Sequence, residues 1–453
     1  MSRPDILSTR RLDPPGASDD DPRAAMQRQA FDIDIDRIVF CDAFRRLQDK
    51  TQVHGAIGND YVRSRLTHSM EVSRVGRQLG AMLGQVVLER MPRLASGHAP
   101  AEFGQAVAAA CLIHDIGNPP FGHPGEDSIS AWFTTTSLGL EILADVDPVM
   151  ADELSRFDGN AQGLRVVTRL QGWRPGSGLN LTSAVLAAQC KYPFEAGSAR
   201  AQVCGGKYNH FATERAIIDA VMAETGTSPH PDGGWRRHPL AYLVEAADDA
   251  CYRVVDIEDA YVLKLLSFTE VEELLMSVAG DAGPDYRLAD TEIKKIVKLR
   301  ARAISRLVSD LANSLNDHLD AVVAGQHAGN LLLSGALSPA LTRIEEISRS
   351  RIYANPKRVE SDIVAQTTIS TLLGSYMGAF HEREIRGEMT GDARRILATF
   401  PHAIEIPRDK SSYVRAVLDY VSGMTDRFAI DTARTLSGAD PSGRDFPESG
   451  GTE

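Results

Sequence analysis

In the stretch "CLIHDIGNPPFGHPGE", Cys111 to Glu126, an apolar run delivers His114 and Asp115 side by side, and two prolines, Pro119 and Pro120, follow. Then come His123 and Glu126. Imidazole and carboxylate are good ligands for a divalent ion. An ion so held lowers the pKa of bound water and offsets charge on a phosphoryl oxygen, which is the chemistry of phosphate-ester hydrolysis. Adjacent residues in a regular helix point about 100° apart, so His114 and Asp115 converge on one ion only where the helix ends or distorts. The prolines supply such an ending.

Two further residues extend the set. His68 opens a helix in "RSRLTHSMEVS", and Asp248 lies mid-helix in "EAADDACYRVVDIED". Two imidazoles and two carboxylates suit Mn, Fe, Co, Ni or Mg better than a thiolate zinc site. Taken singly, each residue has a plainer reading. A His-Asp dipeptide is most often a surface or capping pair, a lone histidine a satisfied structural one, and Asp248-Asp249 a solvated helix face. What lifts them together is that polar groups interrupt apolar runs where packing would prefer leucine.

The elements that must position these residues are helical. Val75, Leu79, Met82, Leu83 and Val86 follow helical spacing, on a helix that starts near Arg65 to Ser69 and ends before Pro92. Pro100 suits the first turn of the next helix, which stops before Asn118-Pro119-Pro120. A longer helix begins near Pro239, and the segments 293–324, 358–387 and 412–436 are further helices. Few runs alternate, and no tandem repeat is visible, so the expected fold is all-α. Residues 1–24, with "DPPGASDDDP", and 437–453 have the composition of flexible segments. No domain linker interrupts the chain between 28 and 436.

Bulk composition agrees. The 453 residues are 43% hydrophobic, 24% charged and only 6% aromatic, the profile of a globular helical protein. The net charge of −12 makes the chain a poor general nucleic-acid binder, though a local basic pocket can still hold a small phosphate. Five cysteines without a CxxC read as reduced packing residues of a cytoplasmic protein. No apolar run approaches the length of a membrane span, and "MSRPDILSTRRLDPPG" lacks the apolar region of a secretory signal. GxxxxGK[ST], GxSxG and a complete GxGxxG are all absent.

The order His, His-Asp, distant Asp resembles the HD superfamily of metal-dependent phosphohydrolases. The closer resemblance is to the deoxyguanosinetriphosphate triphosphohydrolase (dGTPase) family. It rests on "FRRLQDKTQV" (44–53), "RSRLTHSMEVSRVG" (63–76), "HDIGNPPFGHPGE" (114–126), "KYPF" (191–194), "EAADDACYRVVDIEDA" (245–260) and "GMTDRFA" (423–429), which run collinearly over roughly 28 to 430. The resemblance implies one domain over 25–436, with an HD-domain helical core over about 60–265 and an additional C-terminal helical region over about 266–436. It implies that His68, His114, Asp115 and Asp248 hold one divalent metal, Mn2+ or Mg2+ foremost, with Fe, Co or Ni as alternatives.

It also implies roles for the residues around the metal. His123 and Glu126, one helical turn apart, lie in the family beside the scissile phosphate. His123 is then the general acid or base, oriented by Glu126. Arg65, Lys191 and Tyr192 become phosphate contacts. Asp248, Tyr252 and Asp256 are spaced four apart and share one helix face. In the family the tyrosine packs where a 2′-hydroxyl would fall, and the aspartate accepts from the 3′-hydroxyl. Gln52, able to donate and accept, meets the base, with Val53 packed nearby. His54 and Gly55 stand where the family more often has an aromatic residue and proline, so hydrolysis of dNTPs other than dGTP stays open.

The expected reaction is water attack at the α-phosphorus of a dNTP, giving deoxynucleoside and inorganic triphosphate. The alternatives are an HD-type phosphodiesterase or nucleotidase on another phosphate ester, and a non-catalytic nucleotide-binding regulator. Family members commonly form symmetric oligomers, often hexamers, so a homo-oligomer is expected. An activating dNTP and single-stranded nucleic acid are further partners the resemblance admits. The acidic balance gives the second no support, and no membrane partner is expected.

Overall fold

A computed structural model describes residues 5–12, 29–52, 63–94, 97–172, 176–386, 389–402 and 405–439. The fold is all-α: helix follows helix along the chain, and the only β pairing among the described residues is three isolated bridges. No described helix is long and apolar enough to cross a membrane. All five cysteines are free, and four of them are buried. The alternating "DIDIDR" run is helical, within Ala30–Val39: Phe31, Asp34 and Ile38 are buried on one side of it, and Ile33 is buried as well.

Buried apolar residues form two separate cores. The first gathers the Ala30–Val39, Arg65–Arg90, Pro100–Ile113, Ser183–Gln189, Pro239–Val262, Phe268–Ala279 and Glu292–Asp317 helices. The second gathers the His123–Thr135, Ser137–Asp145 and Pro148–Ser155 helices with Pro356–Arg386, Gly391–Ala398, Lys410–Ser422 and Asp426–Leu436. The chain beyond 266 is therefore divided. Its first part, to Ile352, completes the first core, and the remainder packs onto the segment between Ile129 and Phe211. Residues 5–12, within the segment of flexible composition, are docked. Leu7 is fully buried, and Arg11 pairs with the buried Asp34 at 2.5 Å. Asp34 also accepts from the backbone and hydroxyl of Thr182.

The central contact of the first core is between the Arg65–Arg90 and Pro100–Ile113 helices. It is made by glycine. A Cβ on Gly80 would lie 2.6 Å from Phe103 O, one on Gly84 2.7 Å from Pro100 Cα, and one on Gly104 2.6 Å from Arg77 O. The two backbones therefore touch, and a side chain at any of these positions separates them. Gly80→Ala should cost about 2 kcal/mol by overpacking, measurable as a lowered denaturant midpoint, and it should weaken divalent-cation binding because His68 and His114 ride on these two helices.

Candidate active site

The Arg65–Arg90 helix begins with a reciprocal cap between Ser64 and Thr67, which fixes its first turn and with it Arg65 and His68. The Pro100–Ile113 helix ends where the sequence suggests, at Ile113. His114 is its C-cap, and Asp115 to Gly117 form a turn closed by Asn118 N donating to Asp115 O at 3.1 Å. At the end of the helix, with His114 still in helical conformation and the turn following it, His114 and Asp115 come together: His114 Nε2 lies 3.6 Å from Asp115 Oδ2. Asp248 arrives from the Pro239–Val262 helix. Its Oδ1 is 2.9 Å from His68 Nε2 and 3.5 Å from His114 Nε2.

Donor atoms of His68, His114 and Asp248 all lie within 4.8 Å of one another. A cation about 2.1 Å from each donor spans such a triangle. The details fit a metal. His114 Nδ1 donates to Cys111 O at 2.7 Å, leaving Nε2 to offer its lone pair. That Nε2 is buried without a hydrogen-bond partner among the described residues. Asp115 stands beside the triangle with its carboxylate already engaged. Oδ2 accepts from Arg65 Nη1 at 2.7 Å and Oδ1 from Asn118 Nδ2 at 2.6 Å.

The electrostatics are those of a cation site. Against the cost of burial, His114 holds Asp248 well below the usual carboxylate range, and Arg65 holds Asp115 at about 2. Against burial again, Asp115 and Asp248 raise His114 to about 9, which favours a proton on its Nε2 wherever no cation is bound. Proton and cation compete for it.

Across from this cluster lies a cavity of about 160 Å3 whose walls include His114, Asp115, Asp248, His123, Glu126, Lys191 and Tyr192. His123 is exposed, at the first position of the His123–Thr135 helix. Glu126 lies one turn on, but its carboxylate is turned elsewhere: Oε1 accepts from Gly159 N at 2.8 Å and Oε2 from Lys207 Nζ at 3.1 Å. No hydrogen bond joins Glu126 to His123 among the described residues. The spacing alone suggests a pair, but the stronger partners come from distant segments. Lys191 Nζ meets Glu245 Oε1 at 3.1 Å and lies over the Tyr192 ring at 5.5 Å. Glu245, against the cost of burial, holds the Lys191 ammonium above its ordinary value.

Arg65 and His68 are buried beneath the cavity, reaching it through Asp115 and Asp248. Tyr252 and Asp256 continue the face of the Pro239–Val262 helix away from Asp248. Burial pushes Asp256 up to about 7, although Tyr353 donates to it at 2.6 Å. Gln52 is partly buried, and its Oε1 has no partner among the described residues. Val53, His54 and Gly55 lie outside the described residues.

Sequence reasoning missed Lys207, Tyr353 and Asn118. Asn118 follows the His-Asp motif and could have been suspected from it. Neither Lys207 in "CGGKYNHF" nor Tyr353 in "SRIYANP" has a spacing that ties it to the site. A larger cavity of about 520 Å3 lies against the second core. Its arginines are committed to carboxylates, Arg165 to Glu214 and Asp419 and Arg415 to Glu153.

Because a proton must leave His114 for a cation to bind, affinity for Mn2+ should strengthen as pH rises towards about 9 and level off above it. Calorimetry in buffers of different ionisation enthalpy should register the released proton; heats independent of buffer would contradict this.

Comparison with known proteins agrees with this geometry. An HD-domain model matches residues 65–158, and a phosphohydrolase-associated-domain model matches 331–435. A deoxyguanosinetriphosphate triphosphohydrolase-like protein of Pseudomonas aeruginosa is 38% identical over 445 residues, covering 96% of this chain and 98% of its own. One of Synechocystis is 38% identical over 427 residues, covering 91% and 94%. A deoxyguanosinetriphosphate triphosphohydrolase of Salmonella paratyphi A is 29% identical over 480 residues, covering 90% and 93%. With a cluster of His68, His114 and Asp248 that could hold a metal, the associated domain towards the C-terminal end and this similarity across nearly the whole length, the chain belongs to the deoxyguanosinetriphosphate triphosphohydrolase-like family of HD-domain phosphohydrolases.

Proposed function

We propose that this protein hydrolyses deoxynucleoside triphosphates, dGTP among them, to deoxynucleoside and inorganic triphosphate by attack of water at the α-phosphorus. The observation that carries the reading is that two different sets of groups line one small cavity. His114, Asp115 and Asp248, with His68 behind them, share its lining with His123, Lys191 and Lys207. A divalent cation, Mn2+ or Mg2+ in this reading, held by His68, His114, Asp248 and Asp115 would acidify water and offset charge on the phosphoryl oxygens.

The chain's own residues do the rest. Lys191 and Lys207, with Tyr192 between them on the cavity wall, bind the polyphosphate. Each lysine is held in place beforehand by a carboxylate, Glu245 for Lys191 and Glu126 for Lys207. Arg65 keeps Asp115 ionised and oriented through its 2.7 Å contact. His123, exposed and unpaired among the described residues, moves the proton: in its charged form it donates to the departing 5′-oxygen. Glu126 acts on it through Lys207 and the phosphate, fixing the turn by its bond to Gly159 N. Tyr252 fills the space of a 2′-hydroxyl, Asp256 accepts from the 3′-hydroxyl, and Gln52 with Val53 meets the base. A homo-oligomer and an activating dNTP belong to the same reading. They rest on the family likeness alone, as does a cytoplasmic location.

Metal-stripped protein incubated with each dNTP and with GTP, plus Mn2+ or Mg2+, should release deoxynucleoside and intact triphosphate only in the presence of metal. Release of pyrophosphate or orthophosphate would instead support another phosphate-ester hydrolase. His123→Ala should lower kcat by about a hundredfold or more with metal content unchanged; retained turnover would remove His123 from the mechanism. Tyr252→Ala should admit GTP as substrate, read as a rise in its kcat/KM relative to dGTP; an unchanged ratio would contradict the assignment.

A further inference from the structure

The motif "GMTDRFA" takes no part in the chemistry above, yet its aspartate reaches two loops of the site. Asp426 Oδ2 accepts from Thr51 N at 2.9 Å, and Asp426 Oδ1 accepts from Phe121 N at 2.8 Å. Thr51 immediately precedes Gln52, and it bridges to Ser64, the cap of the helix that carries Arg65 and His68. Phe121 lies two residues before His123. It has φ +67°, a left-handed conformation that an aromatic residue adopts only when its surroundings impose it. Gly122 continues the turn at φ +64° with its backbone against Arg65, and a Cβ there would collide with Arg65 Nη2. The turn that launches His123 is therefore also the turn that seats Arg65.

A second tie joins the same segments. Lys50 Nζ, buried, donates to Asn118 O at 2.5 Å and to Ser422 O at 2.9 Å. The Asp426 carboxylate is not spent on its own helix, because Thr425 is the cap of Asp426–Leu436 and accepts from Phe428 N. Both bonds of Asp426 reach segments that border the site. Both need an acceptor, and only a carboxylate supplies one at each oxygen.

We propose that Asp426 is a positioning residue of the active site: its carboxylate clamps the Thr51–Gln52 segment and the Phe121–His123 turn in one register, so that the far C-terminal helix sets the geometry of the reaction. The catalytic consequence rests on the role given to His123 above. The clamp itself does not.

The test uses the full-length protein with Asp426→Ala and Asp426→Asn. Amide hydrogen exchange is followed in segments 50–52 and 118–123, beside kcat, KM and bound metal. In Asp426→Ala, exchange should quicken by about tenfold in both segments, for loss of one hydrogen bond each, while the interior of the Arg65–Arg90 helix keeps its protection. Turnover of dNTP should fall by about tenfold or more through misplacement of His123, with metal content unchanged. Asp426→Asn, nearly isosteric, keeps one acceptor and should quicken exchange in only one segment. It carries the test should the alanine variant not fold. Unchanged exchange in both segments overturns the clamp. Faster exchange with unchanged kcat overturns the positioning role. If the parent protein turns over no dNTP, the functional reading fails while the exchange measurement still decides the clamp.

Discussion

The backbone contact between the Arg65–Arg90 and Pro100–Ile113 helices is the constraint from which the site follows. Gly80 and Gly104 let the two helices touch, and the rings of His68 and His114 consequently stand 5.5 Å apart near their ends. Asp248 completes the set because the Pro239–Val262 helix packs against the same pair, with Ala246, Ala247 and Ala250 buried around it. Small residues thus lie at the helix contacts that bring the three elements together. Closeness is obtained by removing side chains, and at the end of the contact His68 Nε2, His114 Nε2 and Asp248 Oδ1 are left facing one another.

The site lies at the seam between the two cores. His68, His114 and Asp248 stand on, or at the end of, helices of the first. Phe121, Tyr192 and the His123–Thr135 helix belong to the second. A protein of net charge −12 assembles cations here by pairing each with an acid: Arg65 with Asp115, Lys191 with Glu245, Lys207 with Glu126. The pairs keep the cations ordered without a ligand and limit the local excess of positive charge. Geometry across the seam then matters to the chemistry, which is why a carboxylate from the last helix bridging both sides has consequence far from its own position.

The helices and the break after Ile113 were legible in the sequence because each rests on a local signal, apolar period or proline placement; the grouping of His68, His114 and Asp248 was legible through the order of motifs the chain shares with the family. The missing parts are long-range. Glu126 looks like the partner of His123 at helical spacing, but its bonds go to Gly159 and Lys207, which sequence separation hides. Asp256 was legible as a member of the Asp248 face, but Tyr353, which donates to it, was not. The docking of residues 5–12 rests on partners far along the chain, Glu224 for Ser8 and Arg10, Asp34 for Arg11 and Thr182 to Ala184 for the backbone, which sequence separation hides. The two cores exchange segments along the chain, so no linker marks their border.

The most direct measurement is anomalous diffraction from crystals of the protein equilibrated with Mn2+. The account predicts one strong anomalous peak within bonding distance of His68 Nε2, His114 Nε2 and Asp248 Oδ1, with the Asp115 carboxylate facing it. A peak elsewhere, or none at that point in crystals that diffract well, would contradict the claim that these residues form a cation centre.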